Sequence, residues 1–467
     1  MSRHLHLIAA AAALFLAGCS MAPKYERPAP PVAGAFPLAS PAGGVAASDI
    51  AWQDYFADPV MRRLIAAALQ NNRDLRVAVL NIEQARAQYQ IRRADGFPAV
   101  NGQFSATRQP NAANGAVGNT FSVGLGISAW EIDFFGRIAS LQDQALAQYL
   151  ATEEGRKAAQ ISLVSAVANT WLAVLADEEL MEITRQTLAT REESLRLTKL
   201  RFDNGASSEL DFRQAETLAQ AARVTLAQQR RQRLLDENAL VLLIGQPLPV
   251  ESPSAAAGGT LAAVTAFPAL PAGLPSDLLV RRPDVRQAEQ GLIAANANIG
   301  AARAAFFPRI SLTASVGSVS NELSGLFKSG SGAFSLAPAV VLPIFDAGRN
   351  QANLEVSQAS RDIAVAQYEK SIQTAFREVA DALAGNATLG EQLQAQQAQA
   401  DSEAARLKLS DLRYRNGIAS YLDLLDAQRS LFTTRQAVVQ TRLAQLQNQV
   451  TLYKTLGGGW TEPPPAR

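Results

Sequence analysis

The chain is expected to adopt a mixed α and β fold built as a two-fold internal repeat, with paired β-strands of transmembrane length set between long coiled-coil α-helices. Three observations carry this expectation. Residues 200–215 (LRFDNGASSELDFRQA) return as residues 412–427 (LRYRNGIASYLDLLDA), identical at eight of sixteen positions and offset by 212. Two blocks of strict apolar/polar alternation, one per half, interrupt an otherwise helical pattern. Runs without proline from Arg137 to Phe202 and from Arg349 to Tyr414 lead into the two copies of the duplicated stretch. Each copy holds an Asn-Gly pair, Asn204-Gly205 and Asn416-Gly417, suited to a left-handed residue that closes a helix. Ser208 or Ser420 follows as the N-cap of the next helix, so each copy reads as the tip of a helical hairpin.

Composition narrows the function classes. The 467 residues carry a net charge of +1, which gives no electrostatic case for nucleic acid or a polyanionic substrate. Aromatic residues make up only 6%, which suits long helices better than thick cores. Residues 1–18 read as a secretion signal: Arg3 supplies the positive start, Leu7 to Leu16 an apolar stretch too short to span a bilayer, and Leu16-Ala17-Gly18-Cys19 the cleavage site. That tetrapeptide resembles the bacterial lipobox, which implies acylation of Cys19 as the first mature residue. Ser20 after it implies sorting to the outer membrane. Cys19 is the only cysteine, so it is not half of an intrachain disulfide. His4 and His6, the only histidines, leave with the leader. Ser-His-Asp, Cys-His and ordinary structural zinc sites are thereby excluded, and no metal or cofactor other than a covalent lipid on Cys19 is expected.

The elements follow in order. Residues 19–57 form a Pro/Ala/Gly-rich lipidated tether. Repeat one (58–245) opens with a helix at Asp58-Pro59 that carries Leu64, Ala67, Ala68, Leu75, Val79, Ile82 and Ala85 at helical spacing and ends before Phe97-Pro98. Strands follow at 99–108 and 119–130, where Val100, Phe104, Ala106, Phe121, Val123, Leu125 and Ile127 alternate with small polar residues. In a soluble sandwich those polar residues would face water; in an outer-membrane barrel they would face the lumen, and the lipobox favours the barrel. The long helix from Arg137 spans ~99 Å at the α-helical rise. Its return helix runs from Ser208 to Leu243 and stops at Gly245-Gln246-Pro247. A Pro/Ala-rich linker (246–275) leads to repeat two (276–457), with a helix opened by Arg282-Pro283-Asp284, a Phe307-Pro308 joint, strands at 309–318 and 333–342, a second long helix from Arg349, the second tip, and a last helix with Val439, Leu443, Leu446, Val450 and Tyr453 on a coiled-coil seam. A short tail (458–467) remains. In each half the short helices add up to about the length of the long one, so two short helices are expected to stack end to end beside it.

Four strands cannot close a bilayer-spanning barrel, because open edges in lipid leave backbone groups unpaired. Single-chain bacterial barrels begin at about eight strands. The chain is therefore expected to share a barrel with copies of itself.

The element order, together with Leu-Arg-Tyr-Arg-Asn-Gly at 412–417, Tyr421-Leu-Asp-Leu-Leu-Asp-Ala-Gln-Arg429, the Phe-Pro joints and the lipobox, resembles the TolC/OprM outer-membrane factor family over nearly the whole mature chain. The resemblance implies a homotrimer that forms a twelve-stranded transmembrane β-barrel over a long α-helical coiled-coil periplasmic barrel. It implies an outer-membrane, lipid-anchored channel of a tripartite efflux pump exporting drugs or toxic compounds, partnered by a periplasmic adaptor at the hairpin tips and an inner-membrane pump of RND type, and no enzyme activity. The pattern of the OprM-like branch places periplasmic gate contacts at Arg413, Tyr414, Asp426, Arg429, Asp177 and Asp236. Spacing from the tip independently puts Asp177 and Asp236 at similar depth on the first hairpin, and Asp426 and Arg429 lie on one helix face. The bland reading of these six is solvated helix charge. The first tip has Phe202-Asp203 where the second has Tyr414-Arg415, which suits one hairpin as gate and the other as support. A type I protein secretion duct shares the fold, and a coiled-coil lipoprotein scaffold is the reading outside transport.

Overall fold

A computed structural model describes residues 21–38, 44–110, 115–248, 261–264, 267–273 and 275–461. Cys19 and half of the 246–275 linker lie outside the described residues. In chain order the elements are α1 (Pro59–Asn71), α2 (Arg73–Ala94), β1 (Val100–Pro110), β2 (Val117–Ile132), α3 (Arg137–Asp203), α4 (Glu209–Ile244), α5 (Pro275–Arg281), α6 (Pro283–Ala304), β3 (Arg309–Ser320), β4 (Gly332–Val341), α7 (Arg349–Arg415) and α8 (Tyr421–Thr455). The order repeats as the duplicated sequence requires, and the long helices α3 and α7 have 67 residues each. The chain divides into two compact units: one combines the residues up to 29 with 80–154 and 286–371, the other 30–79, 155–285 and 372 onward.

In the first unit the four strands form one antiparallel sheet in the order β1-β2-β3-β4. Its register sets Phe104 opposite Val123, Leu125 opposite Val316, Ala314 opposite Leu336 and Ile310 opposite Val340. Side chains alternate along each strand, so these residues line one continuous apolar face. Gln103, Ser105, Ser122, Gly124, Ser315, Gly317 and Ser335 line the other, where the Ser105 and Ser122 hydroxyls meet at 2.7 Å. Gly124 and Gly317 face each other across β2 and β3, and a Cβ on either would come within 2.3 Å of the opposing backbone. The apolar face is left bare: Phe334 is 86% exposed and Leu336 66%. Beyond the expected alternation, β2 carries a bulge between Ile127 and Trp130, where Ala129 has φ 48° and donates its N–H to Thr313 Oγ1 (3.1 Å). On the same unit the segment from Met21 lies along α6. Arg27 forks onto Glu289 (2.7 and 3.0 Å), Tyr25 donates to Glu289 (2.9 Å), and Asn296 and Arg303 donate to the Pro23 and Met21 carbonyls.

The core of the second unit gathers around Tyr55 and Tyr453, whose rings stack at 4.0 Å with Phe56 and Phe267 against them. Their hydroxyls are satisfied by the Gln449 and Ile50 carbonyls. Asp58 caps α1 by accepting from the N–H groups of Val60 (2.7 Å) and Met61 (3.2 Å), and Trp171 of α3 donates to its other oxygen. Part of α3 is apolar enough over 18 residues to cross a membrane by composition, yet 61% of that window is buried by packing within the chain.

One expectation is corrected here. Periodicity carries a single helix from Asp58 to Phe97, whereas the structure breaks it at Asn72. The Asn72 amide donates to the Leu243 carbonyl (2.9 Å), and its oxygen accepts from the Leu75 N–H (2.8 Å). One buried side chain thus ends α1, caps α2 and ties both to the end of α4. The apolar stripe fails one turn further on: Leu64, Ala68 and Leu75 are buried, but Val79 is 43% exposed. In the second half, likewise, the short helix α5 precedes the one opened by Arg282-Pro283.

Candidate functional site

The two hairpin tips have the same backbone. Gly205 and Gly417 both take φ 70°, and the Ala206 and Ile418 N–H groups reach back to the Arg201 and Arg413 carbonyls at 2.8 and 2.9 Å. Asn204 and Asn416 each donate to the carbonyl four residues earlier at 2.7 Å. Ser208 with Asp211, and Ser420 with Asp423, form capping boxes that start α4 and α8. A residue in the left-handed region followed by a box turns each chain direction within a few residues, which holds the side chains just before it in fixed positions.

Those side chains interlock across the two hairpins. Arg201, at the end of α3, donates to the Tyr414 hydroxyl at 2.8 Å with its guanidinium 5.3 Å from the ring centre. The Tyr414 ring leans on Tyr421 at 5.3 Å, and both pack with Leu195, Ala215, Leu218, Leu407, Leu424 and Leu425. Asp426 pairs with Arg406 on α7, which also holds Glu403 at 3.2 Å. Arg413 and Arg429 are exposed, and among the described residues the Arg413 guanidinium has no hydrogen-bond or ion-pair partner. Arg429 faces the buried Arg191, whose guanidinium lies over Phe432 at 4.9 Å and donates to the Leu218 carbonyl. Between α3, α7 and α8 runs a groove of about 1060 Å³, lined by Leu197, Arg201, Leu407, Tyr414, Tyr421 and Leu431.

Farther from the tip, Asp177 and Asp236 come together on α3 and α4. Asp177 is only 8% exposed. Burial first, and then the hydrogen bond and negative charge of Asp236, push its pKa up to about 7. Asp177 is therefore the member of the pair that holds its proton towards neutral pH. Arg233 opposes the shift but is engaged by Glu178 (3.0 Å) and Glu237 (2.8 Å).

Of the six positions, the structure thus brings Asp177 to Asp236, and sets Tyr414 and Asp426 against arginines the sequence reading did not single out, Arg201 and Arg406. The signal for Arg201 lay in the duplication, since Arg201 and Arg413 occupy the same place at the offset of 212. Arg406 has no such cue.

A sheet with two open edges and one bare apolar face, in a chain with two long helical hairpins ending in matched tips, defines the class of outer-membrane channels built from shared barrels and coiled coils. The chain belongs to the outer membrane efflux protein family, whose pattern matches residues 64–246 and 274–458, one match per repeat. It is 47% identical over 462 residues to the solvent efflux pump outer membrane protein SrpC of Pseudomonas putida, covering 96% of this chain and 97% of that one. It is also 47% identical over 466 residues to the antibiotic efflux pump outer membrane protein ArpC of Pseudomonas putida, covering 97% and 95%. Among solved structures it resembles the open state of the Neisseria gonorrhoeae MtrE outer membrane channel, with a TM-score of 0.87 and 41% identity over 95% of this chain and 99% of that one. The family expected from the tip motifs is borne out, and the protein is an outer-membrane efflux channel.

Proposed function

We propose that three copies of the chain form the exit duct of a tripartite pump, passing apolar small molecules such as organic solvents and antibiotics from the periplasm and the inner-membrane pump to the exterior. The observation that carries this reading is the sheet. β1 and β4 are open edges within the chain, and a bare apolar row crosses all four strands. In hydrocarbon each unpaired backbone group costs several kcal/mol. Edge-to-edge pairing of three copies removes those edges and yields twelve strands whose apolar row faces lipid and whose Ser/Gln/Gly row faces the lumen. The substrate class follows the names of SrpC and ArpC.

The tips at Asn204-Gly205 and Asn416-Gly417, with the groove beside them, are the docking ground for a periplasmic adaptor, which recruits a pump of RND type. Arg413, Tyr414, Asp426, Arg429, Asp177 and Asp236 form the periplasmic gate. Acylation at Cys19 anchors each copy to outer-membrane lipid. The duct has no catalytic role. Deleting the gene should lower tolerance to toluene and to apolar antibiotics and raise retention of a fluorescent pump substrate, and the wild-type gene should restore both. Unchanged tolerance and retention would reject the export reading. Labelled palmitate should enter the wild type and not Cys19→Ser; equal labelling of the two would reject the lipid anchor.

A further inference from the structure

We infer that the two hairpins of each chain hold between them a binding site for a small hydrogen-bearing oxyanion of the inorganic phosphate class, formed by Arg191, Arg435 and Gln428. The three line a cavity of about 180 Å³ between α3, α7 and α8, walled also by Thr187, Thr190 and Phe432. Thr190, Gln428 and Arg435 line the larger groove beside it as well, which gives an ion in solution a way in.

Arg191 is a buried charge without a counter-charge. It is 5% exposed. Its guanidinium lies over Phe432 at 4.9 Å and gives one hydrogen bond, to the neutral Leu218 carbonyl at 3.2 Å. Its Nε–H has no partner among the described residues. Burial first, and then the positive charge of Arg429, lower its pKa, and no carboxylate among the described residues acts against them. The acids that follow it on α3 are taken, Glu192 by Arg223 and Glu193 by Arg196, both at 2.7 Å. Uncompensated burial of a charge is strongly unfavourable, and an anion against the unused N–H relieves it.

The duplication shows where an acid is missing. At the offset of 212, Arg435 corresponds to Arg223 and Ala404 to Glu192. The long helices have 67 residues each and both tips turn at the matching glycine, so the correspondence runs unbroken through the two hairpins. In repeat one the long helix supplies Glu192, the return helix supplies Arg223, and the two pair. In repeat two the acid's position holds only the methyl group of Ala404, which lines the groove together with Arg435. Arg435 is exposed, and among the described residues its guanidinium has no hydrogen-bond or ion-pair partner. Negative charge is thus absent where one arginine has it in the other repeat, and a second, buried arginine lines the same cavity.

Gln428 selects among anions. It is 8% exposed, and its Oε1 is buried without a hydrogen-bond partner among the described residues. Chloride and sulfate have no hydrogen to offer this acceptor, whereas monohydrogen phosphate has one O–H. The charged oxygens of the same ion suit the planar N–H forks of the two arginines. A bound ion would link α3 of the first hairpin to α8 of the second.

The test uses the full-length protein in detergent at about pH 8, where inorganic phosphate is mostly its monohydrogen dianion. Equilibrium dialysis against labelled phosphate at constant ionic strength should find saturable binding of one ion per chain. Phosphate should also raise the melting temperature in step with its concentration. Sulfate, with the same charge and no hydrogen, should bind about fivefold more weakly, the worth of roughly one hydrogen bond. Ala404→Glu gives repeat two the acid that repeat one already has; it should abolish phosphate binding and melt above wild type in phosphate-free buffer. Arg435→Gln should weaken binding about tenfold, while Arg223→Gln, which breaks the pair in repeat one, should leave it unchanged. Absence of saturable binding, or binding unchanged in both Ala404→Glu and Arg435→Gln, overturns the site. Equal loss in Arg223→Gln overturns it too, and sulfate that binds as tightly as phosphate overturns the hydrogen-bearing class.

Discussion

Asp177 shows how one residue couples the helices to pH. An acid whose folded pKa is raised to about 7 from an ordinary 3.8 keeps its proton in the folded state after the unfolded chain has lost it. Stability from this residue is therefore highest below about pH 4, falls as pH rises through 7, and levels off above. Asp177→Asn keeps a hydrogen-bond donor toward Asp236 without the charge. It should melt about 2–4 °C higher than wild type at pH 8, as expected for roughly 1 kcal/mol in a large domain, with a smaller gap at pH 5 and little difference below about pH 4. Equal melts at both pH values would mean the pair carries no strain. At this scale the sequence revealed which residue types matter at the tips and that Asp177 and Asp236 share a depth. It did not reveal partners, because Arg201 meets Tyr414 across 213 residues and Arg406 meets Asp426 through helix packing alone.

The turns and strands were the legible elements, since their cues are local. Asn-Gly followed by Ser-x-x-Asp specifies both tips, and the capping boxes are present at Ser208 and Ser420. Ser420→Ala should cost about 1 kcal/mol and show as faster amide exchange in the first turn of α8, with exchange in the middle of α7 unchanged. Period-two alternation specified the strands to within two residues, and the register carries their apolar residues to one face. Val123→Arg on that face should impair membrane assembly by roughly 2–4 kcal/mol near the midplane, while Ser122→Arg on the polar face should be mild; heat-dependent gel mobility of the assembled form reads this directly, and equal effects would contradict the assigned faces. The break at Asn72 was hidden because its cause is the Leu243 carbonyl, 171 residues away. The bulge at Ala129 was hidden for the same kind of reason, since its stabilising partner Thr313 belongs to the other repeat.

For the whole molecule, duplication is the governing fact. Two repeats give four strands and two hairpins, and the sheet is left with open edges at β1 and β4. The proposed assembly of three copies would close that sheet, so native mass spectrometry in detergent should find three chains, and a stable monomer or tetramer would refute the twelve-strand barrel. The central claim is a conduit closed at its tips by contacts between hairpins. It is tested most directly by single-channel conductance in planar bilayers, comparing trimeric wild type with Arg413→Ser/Tyr414→Phe and with the exposed control Gln394→Ala. These side-chain changes require no backbone movement, so the long helices persist while the tip loosens. Each exposed contact contributes only about 0.2–1 kcal/mol, but threefold repetition multiplies the shift in open population. Discrete conductance steps are expected for all three, larger in the double variant and unchanged in the control. A trimer that gives no steps, or a double variant that conducts as wild type does, would contradict the account.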